Sequence, residues 1–294
     1  AAVLGAKVIF ADVEPDSLTI STAQVAPLIT ERTRAIVHVS LNNRSPHLRE
    51  LAQLCKDSGI PLIEDAAQSV GVLLGGQHLG TIGDIGTFSL SSPKIISTGQ
   101  GGFLVTSNAS LASRLRMFKN FGRVAAGPEE SYATLGINAK FTDLQAVVGL
   151  EQFKKLPWRV QRMRAMWDRY RARLEGVEGL KLLQPGIEDL GYLPWFHDVY
   201  VTDGSEARDA LMKFLHVHKV QTRKMYGVLS MMPAFKDALA ESRKMPVAKW
   251  AADSGLFLPS ATMYDDGIVD LVAGLIRLHF AACTRQEACA STSS

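Results

Sequence analysis

The sequence predicts an α/β protein with a large domain followed by a smaller one. Three observations favour this interpretation: strand and helix patterns alternate in the first half of the chain, Gly and Ser concentrate between residues 71 and 102, and short strands alternate with helices again after residue 180. Strands that alternate with helices form parallel sheets whose faces the helices cover. We therefore expect a large domain with a mixed or parallel sheet and a smaller α/β domain.

The clearest unit of the first half is a strand, a helix and a second strand. Residues 34–40 form a buried-strand pattern, a helix follows over residues 45–56 with Ser45 as its N-cap, and residues 61–64 form the next strand. Asp65 stands at the end of that strand. Because functional groups collect at the carboxyl ends of parallel strands, Asp65 is a candidate site residue.

The remaining elements follow from the same patterns. We expect residues 1–155 to form the large domain, residues 156–285 the smaller one, and residues 286–294 a disordered polar tail. The opening Ala1-Ala-Val-Leu-Gly5 resembles the end of a helix, so we expect a preceding segment of the large domain. Predicted strands lie at 7–11, 87–90, 103–105, 180–183, 196–201 and 220–222. Predicted helices begin at Asn108 and at Thr142 and lie at 205–216 and 265–279. The helix from Thr142 is expected to be broken or bent at Pro157 and to resume to about Leu174.

Composition and charge argue against several classes of function. The chain of 294 residues is 47% hydrophobic with a net charge of +3, and its basic residues form no run that would bind a polyanion. No apolar run approaches the ~20 residues of a membrane span. No signal peptide is visible, and Cys55, Cys283 and Cys289 lack metal-ligand spacing. We expect a cytoplasmic protein that binds neither nucleic acid, membrane nor metal.

Three side chains together indicate a chemistry that none of them indicates alone. Asp65 and Ser89 lie at the ends of predicted strands, and Lys94 follows in a Gly-rich loop. Singly, these residues are a turn former, a loop hydroxyl and a solvated lysine. Together they supply what pyridoxal phosphate needs: a carboxylate beside the pyridine nitrogen, an amine for a Schiff base and a hydroxyl for the phosphate. The combination favours a site for this cofactor.

Longer segments around these residues resemble one enzyme family. In their order along the chain, they are similar to the signature of the DegT/DnrJ/EryC1/StrS aminotransferases. The resemblance implies fold type I, the fold of aspartate aminotransferase, and a pyridoxal-phosphate-dependent transaminase. The segments are Glu64-Asp-Ala-Ala-Gln68, Gly83-Asp84, Phe88-Ser89, Pro93-Lys94, Thr98-Gly-Gln-Gly-Gly102 and Gly136-Ile-Asn-Ala-Lys-Phe-Thr-Asp143.

The resemblance also implies a role for each matching residue. Asp65 would pair with the pyridinium nitrogen, Gln68 would lie near the phenolic oxygen of the ring, and Ser89 would bind the phosphate. Lys94 would hold the cofactor as a Schiff base and move protons. Asn138 would reach the phosphate of the cofactor in a partner subunit, which implies a homodimer with shared active sites.

The C-terminal half resembles the perosamine-synthase branch of that family, in residues 195–201 and 221–226. In that branch an arginine and a tyrosine lie close to the sugar nucleotide, which implies substrate binding by Arg223 and Tyr226. A packed surface strand is the alternative for both residues. The implied reaction moves an amino group from L-glutamate to a nucleotide-linked 4-keto-6-deoxy sugar, a step in nucleotide-sugar and polysaccharide biosynthesis.

Some positions depart from the family pattern. Gln100 stands where Glu is common, Leu41-Asn-Asn-Arg44 replaces a turn that usually contains Gly, and no Ser-Gly-Thr phosphate-binding turn occurs before Lys7. A dehydratase of the same family would carry His in place of Lys94. The alternative that stays open is a catalytically impaired or regulatory member, which binds only a ligand or a partner.

Overall fold

Two four-stranded sheets form the framework of the protein. The computed structural model describes residues 1–124, 131–183, 194–235 and 245–291, with side chains up to residue 283. The first sheet has the order β1-β2-β5-β6, and a two-stranded hairpin, β3-β4, precedes β5. Their bounds are β1 (Ile36–Val39), β2 (Leu62–Asp65), β3 (Leu73–Leu74), β4 (Gln77–His78), β5 (Ile85–Ser89) and β6 (Gly102–Val105).

The helices of the described residues precede, separate and follow these strands. They are α1 (Thr22–Val25), α2 (Leu48–Asp57), α3 (Ala109–Lys119), α4 (Asp143–Lys154), α5 (Leu156–Leu174), α6 (Gly204–Val217), α7 (Pro246–Ser254) and α8 (Asp266–Ser291). Asn108 caps α3 and Thr142 caps α4, as their sequence positions predicted. None of the helices in the described part of the chain is long and apolar enough to cross a bilayer.

Three strands of the first sheet are parallel, and β6 closes it as an antiparallel edge. Val39 lies opposite Asp65 in the pairing of β1 with β2, and Asp65 lies opposite Thr87 in the pairing of β2 with β5. The carboxyl ends of the three parallel strands therefore meet at one edge of the sheet. This mixed sheet confirms the predicted fold class.

The two faces of the first sheet are covered unequally. Leu48 and Leu51 of α2 are spaced to share one side of the helix, and both are fully buried against the sheet. Burial of a leucine side chain contributes ~1.5–3 kcal/mol to folding. On the opposite face Val37 and Val39 are 49% and 46% exposed. Asp65 follows the same alternation as these valines, so it points to the open face.

The second sheet is antiparallel throughout, with the order β7-β8-β10-β9. Val199 and Val201 of β8 pack against α5, α6 and α8, whereas Asp198 and Tyr200 face the opposite side. This alternation follows from the two-residue period of a strand. The strands are β7 (Leu180–Lys181), β8 (His197–Val201), β9 (Arg223–Lys224) and β10 (Gly255–Leu258).

Helix α5 contributes to both hydrophobic cores. Its Met163 packs with the core of the first sheet, and Met166 and Tyr170 pack with the core of the second. Because one helix serves both cores, the division into residues 1–155 and 156–285 stays a proposal.

Some local predictions were wrong. Residues 7–11 pair with no strand of the described structure, and the strand predicted at 220–222 lies instead at Arg223–Lys224. Ser45 does not cap α2, because its hydroxyl donates to the hydroxyl of Ser40 at 2.9 Å. Element boundaries depend on such local hydrogen bonds, which a hydrophobic pattern does not reveal.

The C-terminal region also differs from its prediction. Helix α7 and strand β10 were not predicted, although β10 is a central strand of the second sheet. Its run Gly-Leu-Phe-Leu is apolar throughout, and so short a run does not distinguish a buried strand from a helix segment. Helix α8 extends to Ser291, where a disordered tail from residue 286 was predicted, because Gln, Glu and Ala at 286–288 favour helices. Residues 292–294 lie outside the described residues.

Candidate active site

Asp65 is the last residue of β2 and lies at the centre of the carboxyl edge. The neighbouring strands place Val39 on one side of it and Thr87 on the other. Its carboxylate is partly buried, and Oδ1 accepts a hydrogen bond from the backbone N–H of Ala67 at 3.1 Å. The remaining carboxylate oxygen, Oδ2, is therefore available to a group at this edge.

The preceding residue, Glu64, points to the other face of the sheet and is fully buried. Its carboxylate accepts hydrogen bonds from the backbone N–H groups of Gly80 (2.6 Å), Ile82 (2.6 Å) and Gly83 (2.5 Å). Glu64 thus fixes the loop that leads into β5. Sequence reasoning assigned no role to Glu64, although an acidic residue within an apolar strand was a signal for a buried partner.

Lys94 lies in the loop between β5 and β6, and its side chain is partly buried. Burial lowers the pKa of its amine, and the charge of Asp65 acts in the opposite direction. The two side chains are therefore close enough to interact electrostatically. The loop is held by backbone hydrogen bonds from Leu90 to the carbonyl of Gly101 and from Thr98 to the carbonyl of Leu90, each 2.9 Å.

Ser89 ends β5 immediately before this loop. Its hydroxyl lies 3.0 Å from the hydroxyl of Ser91 and accepts a hydrogen bond from the backbone N–H of Ser91 at 3.3 Å. Two hydroxyls are thus paired at the start of the loop that carries Lys94. The structure therefore brings Asp65, Ser89 and Lys94 to the same edge of the sheet.

Gln68 lies three residues after Asp65, and its side chain is bound by the turn that follows β1. Its Oε1 accepts a hydrogen bond from the backbone N–H of Asn42 at 2.7 Å. Asn42 and Asn43 have φ angles of 54° and 66°, a left-handed conformation in which Asn is the usual alternative to Gly. The asparagines therefore occupy the turn for which the family pattern has Gly.

The same turn is bound to the second sheet through a buried ion pair. Arg44 and Asp198 are 0% and 1% exposed, with Nη1 and Nη2 of Arg44 lying 3.1 and 2.9 Å from the two carboxylate oxygens. Asp198 also accepts hydrogen bonds from Asn42 Nδ2 at 2.6 Å and from the hydroxyl of Tyr200 at 2.5 Å. The contact between these two segments was not predicted, because 154 positions of sequence separate Arg44 from Asp198.

Arg223 and Tyr226 lie beside a cleft of the second sheet. The guanidinium carbon of Arg223 is 5.1–5.4 Å from the ring centres of Phe196, Tyr226 and Phe257. The cleft has a volume of about 260 Å³ and is lined by Arg223, both phenylalanines and hydroxyl or amide side chains such as Gln221. An arginine held over aromatic rings is suited to bind an anion beside a planar group.

This cleft is connected to the carboxyl edge through Asn42. The side chain of Asn42 donates to the carbonyl of Phe196 and accepts from its N–H, both at 2.6 Å. Asn42 thus contacts Gln68 through its backbone and Phe196 through its side chain.

Asn138 is exposed, and its contacts are separate from the residues at the carboxyl edge. It forms a backbone bridge with Asn120, and within the described residues no hydrogen bond joins it to Asp65 or Lys94. A role toward a partner subunit therefore stays a prediction.

The family model of the "DegT/DnrJ/EryC1/StrS aminotransferase family" matches residues 1–277 of the chain. The chain belongs to this family. It is a pyridoxal-phosphate-dependent aminotransferase with the fold type I architecture, as the sequence motifs predicted.

The named proteins that this chain resembles differ in function. GDP-perosamine synthase of Vibrio cholerae is 28% identical over 94% of this chain and 74% of its own length. A pleiotropic regulatory protein of Geobacillus stearothermophilus is 30% identical over 87% of this chain and 68% of its own length. The structure of DesI, determined in the presence of its TDP-sugar product, is 28% identical with a TM-score of 0.84, covering 99% of this chain and 73% of that one.

The residues at the carboxyl edge fit the cofactor of this family. The Lys94 amine has a lowered pKa and interacts with the Asp65 carboxylate. The hydroxyl of Ser89 lies at the end of β5, immediately before the loop that carries Lys94. When bound, pyridoxal phosphate supplies an electron sink that stabilises a carbanion. The individual roles of these residues are developed below as proposals.

Proposed function

We propose that this aminotransferase moves an amino group from L-glutamate to a nucleotide-linked 4-keto-6-deoxy sugar. The observation that carries the proposal is the cleft at Arg223, which is joined to the carboxyl edge through Phe196, Asn42 and Gln68. A sugar nucleotide needs an anion-binding group and an aromatic surface at one end, and a reactive centre at the other. The names of the two sugar-related relatives support this substrate class, and a GDP-linked sugar is the first candidate.

In this proposal four residues hold the cofactor. Asp65 keeps the pyridine nitrogen protonated through a charge-assisted hydrogen bond, and Ser89 binds the phosphate. Lys94 attaches the cofactor and moves a proton, for which the lowered pKa of its amine is favourable because a larger fraction is neutral. Gln68 contacts the ring near its phenolic oxygen.

Arg223 and Tyr226 bind the nucleotide part of the substrate in the same proposal. Arg223 is exposed at β9, so its guanidinium can bind a diphosphate while its carbon stays 5.4 and 5.1 Å from the ring centres of Phe196 and Phe257. Tyr226 is 44% exposed and offers part of its ring to a base or sugar.

We also propose a homodimer with shared active sites in the cytoplasm. Helix α4 supports a subunit interface, since Leu144, Val147 and Leu150 are 70%, 63% and 66% exposed. Apolar surface of this extent is typical of a protein contact site. Asn138 lies in the segment that leads into this helix, where it could reach a partner's cofactor.

The two half-reactions test the substrate proposal separately. The protein should convert L-glutamate to 2-oxoglutarate, and the aminated enzyme should then react with the GDP-linked 4-keto-6-deoxy sugar or, next, with the dTDP-linked one. Replacing Arg223→Gln should raise KM for the sugar nucleotide about 10–100-fold, the effect of losing one charge-assisted hydrogen bond, and leave the glutamate half-reaction unchanged.

Lys224→Gln is the matched control, because Lys224 is adjacent in β9 and pairs with Asp209 at 2.8 Å. It should alter neither half-reaction. An unchanged KM in Arg223→Gln would contradict the binding role of Arg223. Reaction with glutamate but with neither sugar nucleotide would contradict the substrate class.

A regulatory function is the second candidate, because one relative carries that name at 30% identity. A regulatory member would bind the cofactor or a sugar nucleotide without transferring an amino group. Cofactor absorbance that glutamate does not change would favour this candidate.

A further inference from the structure

We propose that Asn42 and the buried Arg44–Asp198 pair are positioning residues that orient the amide of Gln68 toward the cofactor. The inference rests on the proposed place of Gln68 beside the pyridoxal ring. In this proposal the turn at residues 41–44, which departs from the family pattern, connects Gln68 to the second sheet.

The orientation of the Gln68 amide follows from the chemistry of its partner. The backbone N–H of Asn42 can only donate, so the atom 2.7 Å away must be the amide oxygen of Gln68. The amide nitrogen, Nε2, is then the free end, and within the described residues no hydrogen bond to protein uses it. Gln68 therefore presents a donor, which suits an acceptor such as the ionised phenolic oxygen of the cofactor.

The position of the Asn42 N–H depends on its side chain. That side chain is 2% exposed and binds both backbone groups of Phe196 as well as Asp198. A left-handed residue without such contacts could relax to a more favourable conformation. The contacts to β8 therefore hold the turn in the conformation that directs the N–H at Gln68.

The ion pair makes this arrangement rigid. All four hydrogen bonds to the Asp198 carboxylate come from buried groups of Asn42, Arg44 and Tyr200. Arg44 Nε also donates to the carbonyl of Ser17 at 2.8 Å. A buried pair whose hydrogen bonds are satisfied is held in one geometry, and the loss of either partner leaves an uncompensated charge. Docking of the second sheet thus determines how Gln68 faces the cofactor.

The test is the pH titration of the visible absorbance of the cofactor bound to the full-length protein. A donor on the phenolic oxygen lowers the affinity of the neighbouring nitrogen for its proton. Gln68→Met, which removes the donor, should raise the midpoint of the titration by about one pH unit, the size expected for one hydrogen bond to an ionised oxygen.

Two variants of the positioning residues should shift the same midpoint in the same direction. Asn42→Gly keeps the left-handed turn and its N–H and removes only the side-chain contacts, and Arg44→Lys replaces the bidentate contact by a single one. The double variant Asn42→Gly with Gln68→Met should show the shift of Gln68→Met alone, because Asn42 acts through Gln68.

Arg208→Lys is the control for a purely structural effect. Arg208 is also buried, and it binds the carbonyls of Ala252 and Gly255 at the start of β10, with no hydrogen bond to Asn42, Arg44 or Gln68 among the described residues. It should lower the Tm and leave the midpoint unchanged. An unchanged midpoint in Asn42→Gly, or additive shifts in the double variant, would overturn the inference.

Two different results of these experiments would contradict the positioning role and the proposed substrate. Wild-type protein that titrates and responds as described but aminates no sugar nucleotide would contradict the substrate proposal and support the positioning role. Wild-type protein without a titrating cofactor band would overturn the role of Gln68 and, with it, the inference.

Discussion

At the scale of single residues, the surroundings of Lys94 change the pKa of its amine. The Lys94 amine is partly buried, and this lowers its pKa, while the carboxylate of Asp65 limits the change. Burial and the neighbouring carboxylate therefore act on the Lys94 amine in opposite directions. Such pairs of titratable groups are typical of catalytic sites.

Replacing Lys94→Arg tests this balance. A guanidinium stays protonated and cannot attach the cofactor, so we expect amino transfer to fall by at least about 10²–10⁴-fold, the contribution of a positioned acid–base group. The visible absorbance of the attached cofactor should be lost with it. Lys249→Arg is the control, because Lys249 pairs with Asp253 on the exposed surface of α7. Retention of both signals in Lys94→Arg would contradict the assignment.

At the scale of elements, the carboxyl edge depends on the loop between β4 and β5. Glu64 satisfies three backbone N–H groups of this loop, and Gly80 allows it to approach β5, since a Cβ there would lie 2.3 Å from the ring of Phe88. Strand β5 then pairs with β2 beside Asp65. The buried Glu64 on one face of β2 thus holds the loop before β5, the strand that ends at the candidate site residue Ser89.

Glu64→Gln should destabilise the protein. Both oxygens of the Glu64 carboxylate accept backbone N–H groups, whereas the NH2 end of a Gln amide can only donate. We expect a decrease of about 2–3 kcal/mol in the free energy of unfolding, the cost of leaving a buried polar group unsatisfied. Denaturant titration measures it. Glu50→Gln, an exposed change in the first turn of α2, should leave the stability within about 0.5 kcal/mol. Equal stabilities of the two variants would show that the loop does not need Glu64.

At the scale of the whole molecule, two buried histidines make stability depend on pH. His38 lies near His47, and His197 packs against the rings of Trp167 and Tyr170 beside Asp198. Neither histidine has a hydrogen-bond partner among the described residues. Burial lowers the pKa of His38 from 6.5 to about 4 and that of His197 from 6.5 to about 3.

These shifts predict the direction of the pH dependence. Well above pH 6.5 both rings are neutral in the folded and the unfolded state, so neither ring lowers the stability there. As the pH falls below that value, the unfolded chain binds protons first, so each ring lowers stability by about 1.4 kcal/mol per pH unit until its folded pKa is reached. His197→Phe should reduce this slope between about pH 5 and 6.5, whereas His78→Phe, at an exposed site, should not. Identical slopes for His197→Phe and the wild type in denaturant titrations would contradict the prediction.

The sequence by itself determined the family, the cofactor and the order of elements around the site. The motifs around Asp65 and Lys94 are local, since each lies at one strand end or within one loop. Hydrophobic periodicity likewise predicted β1, α2 and β2, because α2 covers one face of those strands and their pattern reflects it. Such features depend on near neighbours in the chain.

Only the tertiary structure decided what joins the two halves of the protein. The pairing of Arg44 with Asp198, the link from Asn42 to Phe196 and the central position of β10 all connect residues that are distant in sequence. A charged residue has the same local signature whether it is solvated or buried against a partner. Its burial is set by which surfaces meet when the second sheet packs on the first, and the linear pattern of one segment contains no information about that contact.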